Sequence, residues 1–278
     1  MANAAIFGAQ TMNTSLLTPL TTQFEHRDAL IDYVRELNQL PQQKVGERFI
    51  GGREAAVTKL NNINPLAYAR TRNHATGAVT QLSPYVRHGV ITSVKIQQHL
   101  KQHFPPEQHE KLLQQLSWRS FFHYIHQQAP EKAWFSREAY KTGFVESDYA
   151  AKLPDDIALG QTGVRLIDQL IEQLLTHGYL HNHYRLYLSS YIVHWRRVQW
   201  QAGASFMLAH LLDGDIASNN YSWQWVASTF SAKPYIFNLD NVKQFADSQL
   251  DTAHESNACF DNSYEALHAA LFPHLDET

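Results

Sequence analysis

The sequence predicts an all-α protein, and three observations carry that reading. Apolar residues recur at helical spacing in separate stretches: Phe24, Leu30, Ile31, Val34, Leu37 and Leu40 in one, and Leu166, Ile167, Leu170, Ile171, Leu174 and Leu175 in another. Helix stop signals follow both, Pro41 the first and Gly178 the second. A chain of 278 residues with 44% hydrophobic content also suffices to bury a large core.

Taken in order, the first twenty-four residues carry no charge and lack the basic start and compact apolar core of a signal peptide. No stretch reaches the roughly 18 uninterrupted apolar residues of a membrane span. These features predict a cytoplasmic protein with a loose N-terminus. Residues 24–40 form a surface helix, and FIGGREAA at 49–56 opens a second. Tyr68 and Arg72 stand at ordinary helical spacing. In the run TQLSPYVRHG at 80–89, Ser83 followed by Pro84 suits an N-cap and first-turn proline.

Residues 112–125 read as a buried helix, and 141–160 as an irregular acidic connector. The amphipathic helix after Thr162 and Gly163 ends at Gly178. Residues 211–229, LLDGDIASNNYSWQWVAST, place two acids, two asparagines and two tryptophans close together. Asp213 and Asp215 flank Gly214 in a segment suited to a tight turn. They face a common ligand, or they are solvated turn acids beside two core tryptophans. A last amphipathic helix lies around Tyr264–Leu271.

Cys259 is the only cysteine, which leaves no intrachain disulfide and too few thiolates for an iron–sulfur cluster. His99 and His103 have helical spacing but no carboxylate at a ligand-like interval, so they read as surface histidines and no metal site is expected. The net charge is −3. Residues 240–278 hold eight acids against Lys243 alone, a net of −7, leaving 22 Lys and Arg against 18 acids, or +4, in residues 1–239. A mildly basic body with an acidic tail is compatible with a phosphate-binding face.

The string LDGDxAxNNxxWQW at 212–225 closely resembles the flavin-binding signature of the photolyase and cryptochrome family. The resemblance implies a helical FAD-binding domain with Asp213 and Asp215 at the polar edge of the flavin ring and Asn219 beside its N5. It makes Trp223 the ring-proximal electron donor and Trp225 a wall of the substrate cavity. FIGGREAA resembles the start of the family's flavin-binding half. Only 48 residues precede it, which implies no antenna chromophore of the usual kind.

Tyr68 and Arg72 resemble a pair that meets an FAD phosphate and the DNA backbone. The run Thr80, Gln81, Leu82 and Ser83 resembles the pyrophosphate loop, where hydroxyls, backbone N–H groups and the helix dipole suit phosphate, with Gln81 where arginine is common. QLSWRSFF at 115–122 resembles a motif that keeps Trp118 and Arg119 but has Gln115 where dimer-repairing members have glutamate. Glutamine can hydrogen-bond a base but has no ionisable proton to share. YLHNHYRL at 179–186 keeps Asn182 and Arg185, the arginine pairing with Asp213, and carries His183 and Leu186 where the family has Arg and Met.

Trp200 matches the middle tryptophan of the family's electron relay. The outermost one is expected near Ser147, where none stands, and Tyr149, Tyr140, Trp134 or Trp195 are the alternatives. Lys233, before the PYIFN run, replaces a DNA-contacting arginine.

The resemblance covers residues 49–245 and divides the chain into an N-terminal extension (1–48), the helical FAD-binding domain (49–245) and an acidic C-terminal tail (246–278). Three functions stand open: a DNA photolyase passing an electron to a pyrimidine dimer, a cryptochrome-like photoreceptor that reduces its FAD without repair, and a flavin-free helical interaction module. Asn182, Arg185, Asp213, Asp215 and Asn219 speak against the last. Asn219 favours the first, and Gln115, Leu186 and the expected lack of an antenna domain favour the second. DNA binding is expected to be weak, salt-sensitive and better for single strands, along Arg72, Lys233 and His183.

Overall fold

The computed structural model describes residues 19–37 and 49–275 and divides the chain into two compact units, Met1–Val45 and Gly46–Thr278. In the first unit, α1 (Arg27–Leu37) buries no residue, as expected of a surface helix. Phe24 lies against Tyr33 at 5.2 Å between ring centroids, and the Tyr33 hydroxyl accepts the Thr21 N–H at 2.9 Å. Pro41 and most of the expected loose N-terminus fall outside the described residues.

The second unit is built of α2 (Arg53–Asn61), α3 (Pro65–Thr71), α4 (Ser83–Arg87), α5 (Ser93–His103), α6 (Pro106–Gln128), α7 (Asp155–Ala158), α8 (Arg165–His177), α9 (Asn182–Ser190), α10 (Trp200–His210), α11 (Ile216–Ala227), α12 (Leu239–Phe245), α13 (His254–Asn257) and α14 (Tyr264–Leu271). No strand occurs among the described residues, and a single bridge joins Ala150 to Val198. The all-α prediction therefore holds.

The amphipathic pattern of α8 explains the larger core. Leu166, Ile167, Leu170, Ile171 and Leu174 are all fully buried, each stabilising by about 1.5–3 kcal/mol relative to exposure. Gly178 closes the helix in the left-handed conformation (φ 62°), its N–H on the Leu174 carbonyl, and a Cβ there would meet Leu212 at 2.8 Å. A smaller core gathers Leu60, Leu82, Tyr85, Ile96, Leu100 and Leu112 between α2, α4, α5 and the start of α6.

Two sequence readings need correction. The helix covering 112–125 forms, but within α6 only His109 and Leu112 are buried, while Trp118, Phe121 and Tyr124 are 52%, 40% and 60% exposed. This helix packs on α3, α5 and α11, with Phe122 against Tyr221 at 5.9 Å, and that packing leaves Trp118, Phe121 and Tyr124 partly open. His99 is buried, stacked on His103 at 4.3 Å, because its apolar neighbours on α5 turn that face inward. Among the described residues no three ligand-type side chains gather as a metal site, and no helix is long and apolar enough to cross a membrane.

The acidic stretch 246–278 is not an appendage. It belongs to the second unit, buries Leu250, Phe260, Leu267 and Phe272, and uses Asn257 to accept the Leu166 N–H at 2.9 Å. Among its described acids Glu255 and Glu265 are exposed and Asp247, Asp251 and Asp261 half-buried, while its apolar residues complete the core. Beyond α9 the chain widens into one π-helical turn, Tyr191–Trp195, and then reaches a left-handed residue, Arg197 (φ 49°).

Candidate active site

Helix periodicity builds one cavity of about 450 Å³. Four stripes line it: Gln115, Trp118 and Phe122 from α6; Asn182, Arg185, Leu186 and Ser189 from α9; Met207 and Leu211 at the end of α10; and Ser218, Asn219, Ser222 and Trp223 from α11. Within each stripe the residues recur at three- and four-residue intervals, so one face of each helix looks into the void. Arg72, Trp225 and the turn of Asp213, Gly214 and Asp215 complete the lining.

The charges are paired before any ligand arrives. Asp213, with a side chain only 3% exposed, accepts from Arg185 Nη2 through both oxygens, at 3.0 and 2.8 Å. Burial pulls the Arg185 pKa down, but the Asp213 carboxylate outweighs it and holds the guanidinium above its usual value. Asp215 caps α11, accepting the Ser218 N–H at 2.8 Å, with Arg119 at 3.3 Å and His123 at 3.1 Å. Burial opposes its ionised form, yet the Ser218 N–H and the Arg119 charge together keep its pKa below the usual carboxylate range.

Asn219 donates to the Ala204 carbonyl at 3.0 Å and to Asn220 Oδ1 at 2.9 Å, so its own amide oxygen is what it can offer a ligand N–H. The Trp223 indole N–H is buried without a partner. Nearby, the loop before α4 holds Gln81 in a left-handed conformation (φ 52°), its amide oxygen accepting from Lys59 at 3.0 Å. Ser83 makes no capping bond, so the N-cap reading of this residue is not realised. Arg87 donates to the Gly214 carbonyl, and His88 lies 2.9 Å from the Leu212 carbonyl, which ties α4 to the Asp213 turn.

Of the residues singled out in the sequence, Arg72, Gln115, Trp118, Asn182, Arg185, Leu186, Asp213, Asp215, Asn219, Trp223 and Trp225 meet at the cavity. Arg119 acts on it through Asp215. Tyr68, Thr80, Gln81, Leu82, Ser83, His183, Trp200 and Lys233 lie outside its lining. His183 is held by the Asn73 carbonyl at 2.9 Å, and burial pushes its pKa down despite that bond, so at neutral pH it offers no charge to a phosphate. Lys233 is exposed, and Trp200 is fully buried with its indole N–H on Ser136 Oγ at 3.0 Å.

Sequence reading missed Ser218, Ser222, Met207, Phe122 and His123. The signal for the first was present: Ser218 stands three residues after Asp215, as a capping arrangement requires. The others are distinguishable only once the helices are packed.

The family described as the FAD binding domain of DNA photolyase matches residues 112–254. The chain belongs to this family. A deoxyribodipyrimidine photo-lyase of Streptomyces griseus is 30% identical over 181 residues, 64% of this chain and 38% of that protein. The Escherichia coli deoxyribodipyrimidine photo-lyase is 40% identical over 82 residues, 28% of this chain and 17% of that protein. This photolyase-family chain thus spans well under half the length of the curated relatives it matches. Its fold is also that of a class III photolyase from Agrobacterium tumefaciens (TM-score 0.62, 24% identity, 72% of this chain and 43% of that one). A Synechocystis cryptochrome is similar in the same way (TM-score 0.63, 23% identity, 75% and 47%).

The residues present fit the flavin that the family implies. The volume falls in the range of cofactor sites, and the walls are apolar with a few convergent polar groups. An orphaned indole N–H and an amide oxygen supply the two kinds of unpaired group that a polar-edged ring would satisfy.

Proposed function

We propose that the chain binds one FAD in this cavity and uses blue light to pass an electron to a pyrimidine dimer in DNA. The observation that carries the reading is the junction of two sites in one void. One lining brings together the Arg185–Asp213 pair, Asn219 and two exposed indoles, Trp118 (52%) and Trp225 (43%). FAD, when bound, supplies the light-absorbing ring and the electron.

The side chains of this protein do the rest. Arg185 stays charged because Asp213 balances it, so it can hold negative charge that develops on a neighbouring ring without becoming an unpaired buried ion. Asn219 offers its amide oxygen to a ring N–H. Trp118 and Trp225 present flat apolar faces on which unstacked bases can stack, and Arg72 sits on the lining to meet a phosphate. Lys59, Thr80 and Ser83 border the loop that would take the cofactor phosphates, Lys59 supplying positive charge beside Gln81.

A cryptochrome-like role without repair is the second reading, favoured by one observation: Gln115, which lines the cavity, has no proton to share with a dimer. Purification with a flavin absorbance spectrum, followed by illumination of dimer-containing single-stranded and duplex oligonucleotides, tests the proposal. Loss of dimers only in the light is the result expected. A flavin-loaded protein that leaves dimers intact would favour the second reading. A protein that stays colourless after reconstitution with FAD would overturn both.

A further inference from the structure

The family position for the outermost relay tryptophan, near Ser147, holds no tryptophan, and four aromatic residues stood open as its replacement. The structure separates them. Trp134, half-buried in the 3-10 turn Pro130–Trp134, lies parallel to Trp200, with ring centroids 6.5 Å apart and planes 2° from coincidence. Trp200 is fully buried at the start of α10. One turn along, at Gly203, the same helix meets the Trp223 ring so closely that a Cβ would lie 2.3 Å from it. We infer that Trp134 is the surface exit of an electron path running Trp223, Trp200, Trp134.

The alternatives are arranged for other work. Tyr140 and Tyr149 stack on each other at 4.2 Å but are only 9% and 4% exposed. A tyrosine that loses an electron must also shed its hydroxyl proton, and the Tyr149 hydroxyl meets the fully buried Thr142 and the Arg197 cation, neither of them a base. Trp195 packs its ring on Phe237 and Phe260, neither an electron donor of comparable ease, and donates its N–H to the Cys259 carbonyl. Trp134 has both an aromatic partner in parallel contact and access to water.

The segment bearing Trp134 is also clamped to the helix bearing Trp223. Asn220, fully buried on α11, donates to the Ala133 carbonyl at 3.0 Å, and Gln224 accepts the Arg137 N–H at 3.0 Å. Ser136, two residues past Trp134, accepts the Trp200 N–H. The two amides of α11 and one hydroxyl therefore fix all three indoles relative to one another, and Asn220 and Gln224 are positioning residues of the path.

The inference rests on the proposed FAD reading, which supplies the acceptor. One electron leaves Trp223 for the photoexcited oxidised flavin. Trp200 refills Trp223, and Trp134 refills Trp200. Trp134 then loses its indole proton to water, and an external thiol returns one electron and one proton to it. The net change is one electron moved from thiol to flavin and one proton from thiol to water.

The test is transient absorption and steady photoreduction with thiol, on flavin-loaded wild type, W223F, W134F, W195F, Y140F and Y149F, with flavin content read from absorbance. Near-UV circular dichroism of the purified proteins reports the stacked indole pair independently of any photochemistry. Trp134→Phe should keep the flavin, lose the exciton signal of the indole pair, lose the long-lived tryptophan radical and lose photoreduction nearly as fully as Trp223→Phe. Trp195→Phe, Tyr140→Phe and Tyr149→Phe should match wild type. Photoreduction undiminished in Trp134→Phe but abolished in Trp223→Phe overturns the assignment of the exit and leaves the FAD reading standing, as does a dominant effect in Trp195→Phe or Tyr149→Phe. A protein that takes up no flavin overturns both.

Discussion

Two arginines close in sequence, Arg185 and Arg197, show how the molecule separates a ligand site from a structural clasp. Arg185 faces the cavity and meets a carboxylate through both of its oxygens, so its charge is held despite burial. Arg197, two residues past the π-helical turn, forms no ion pair with a carboxylate among the described residues. It lies 3.9 Å over the Phe144 ring, flanked by Phe272 at 5.7 Å, and donates to the Leu271 carbonyl. Burial is the chief influence on its pKa and lowers it, which the Tyr149 hydroxyl only partly opposes. A charge with its own counter-ion can border a void and wait for a ligand. A charge balanced by aromatic faces and a backbone carbonyl instead fastens the C-terminal segment to the core.

The comparison breaks most sharply at Asp213. Asp213→Ala strands the Arg185 charge and should cost on the order of 3–5 kcal/mol, together with flavin affinity. Arg197→Met keeps the aromatic packing and loses the bond to Leu271, for about 1–2 kcal/mol. Urea denaturation of both variants measures the gap. Equal losses would mean that the Arg185–Asp213 pair is an ordinary exposed pair and not the charge-balancing element of the site.

Acid titration sharpens the structural side. His194, beside Arg197 in sequence and fully buried, makes its one hydrogen bond through Nε2 to the Val226 carbonyl at 2.9 Å, and its Nδ1 has no partner. Burial, with the nearby Arg197 charge adding to it, lowers its pKa from 6.5 to about 4. The fold thus favours the neutral ring. Its contribution is fully present above pH 6.5, falls as the unfolded chain begins to take up the proton, and is gone below the folded value. The loss amounts to about 3 kcal/mol at pH 3 relative to pH 7. His194→Gln, which retains a donor for Val226 but does not titrate, should flatten the stability profile between pH 6.5 and 4. A profile as steep as wild type would place the acid sensitivity elsewhere.

On the cavity side the next effect is smaller. Trp225 is 43% exposed and tilted against Tyr235 at 5.6 Å, so truncating it removes a stacking face without opening the core. Trp225→Ala should weaken binding of a dimer-containing single strand by about 1–3 kcal/mol, the usual worth of one stacked base. Fluorescence anisotropy at two salt concentrations checks it. An unchanged affinity would remove Trp225 from the substrate surface.

Much of this site was legible through its resemblance to the family's motifs, and the structure shows that the spacing inside those motifs is that of helix stripes. Asn182, Arg185 and Leu186 share a face at three- and four-residue spacing, and so do Gln115 and Trp118; one stretch, 213–225, holds most of the polar groups. The termination of α8 at Gly178 was legible from the local pattern alone. What was hidden depends on packing between distant segments. Trp134 meets Trp200 across sixty-six positions of sequence, and no local pattern marks that stacking. The π-helical turn at Tyr191–Trp195 is an apolar run that reads as continuous helix. Charge misled at the C-terminus, because the acids of residues 246–278 are conspicuous while Phe260 and Phe272, which decide where the segment packs, are only two residues among them.

The smallest expected effect is the most informative about substrate. Gln115 lines the same cavity as Arg72, Trp118 and Trp225, one turn of α6 before Trp118. Its amide can donate to a base carbonyl but has no proton to transfer. Asp213 and Asp215 are already committed to Arg185 and Arg119, so neither is free to supply one. A carboxylic acid at position 115 would combine donation with proton sharing, in a partly buried position that favours its neutral form. Gln115→Glu should therefore raise the yield of dimer splitting a few-fold, a change of under about 1 kcal/mol, with flavin content unchanged. Quantum yield on a dimer-containing single strand, normalised to bound flavin, is the measurement. A yield that stays level or falls while flavin remains fully bound would mean that proton supply at this position does not limit the reaction, and that the amide suits the substrate this cavity takes.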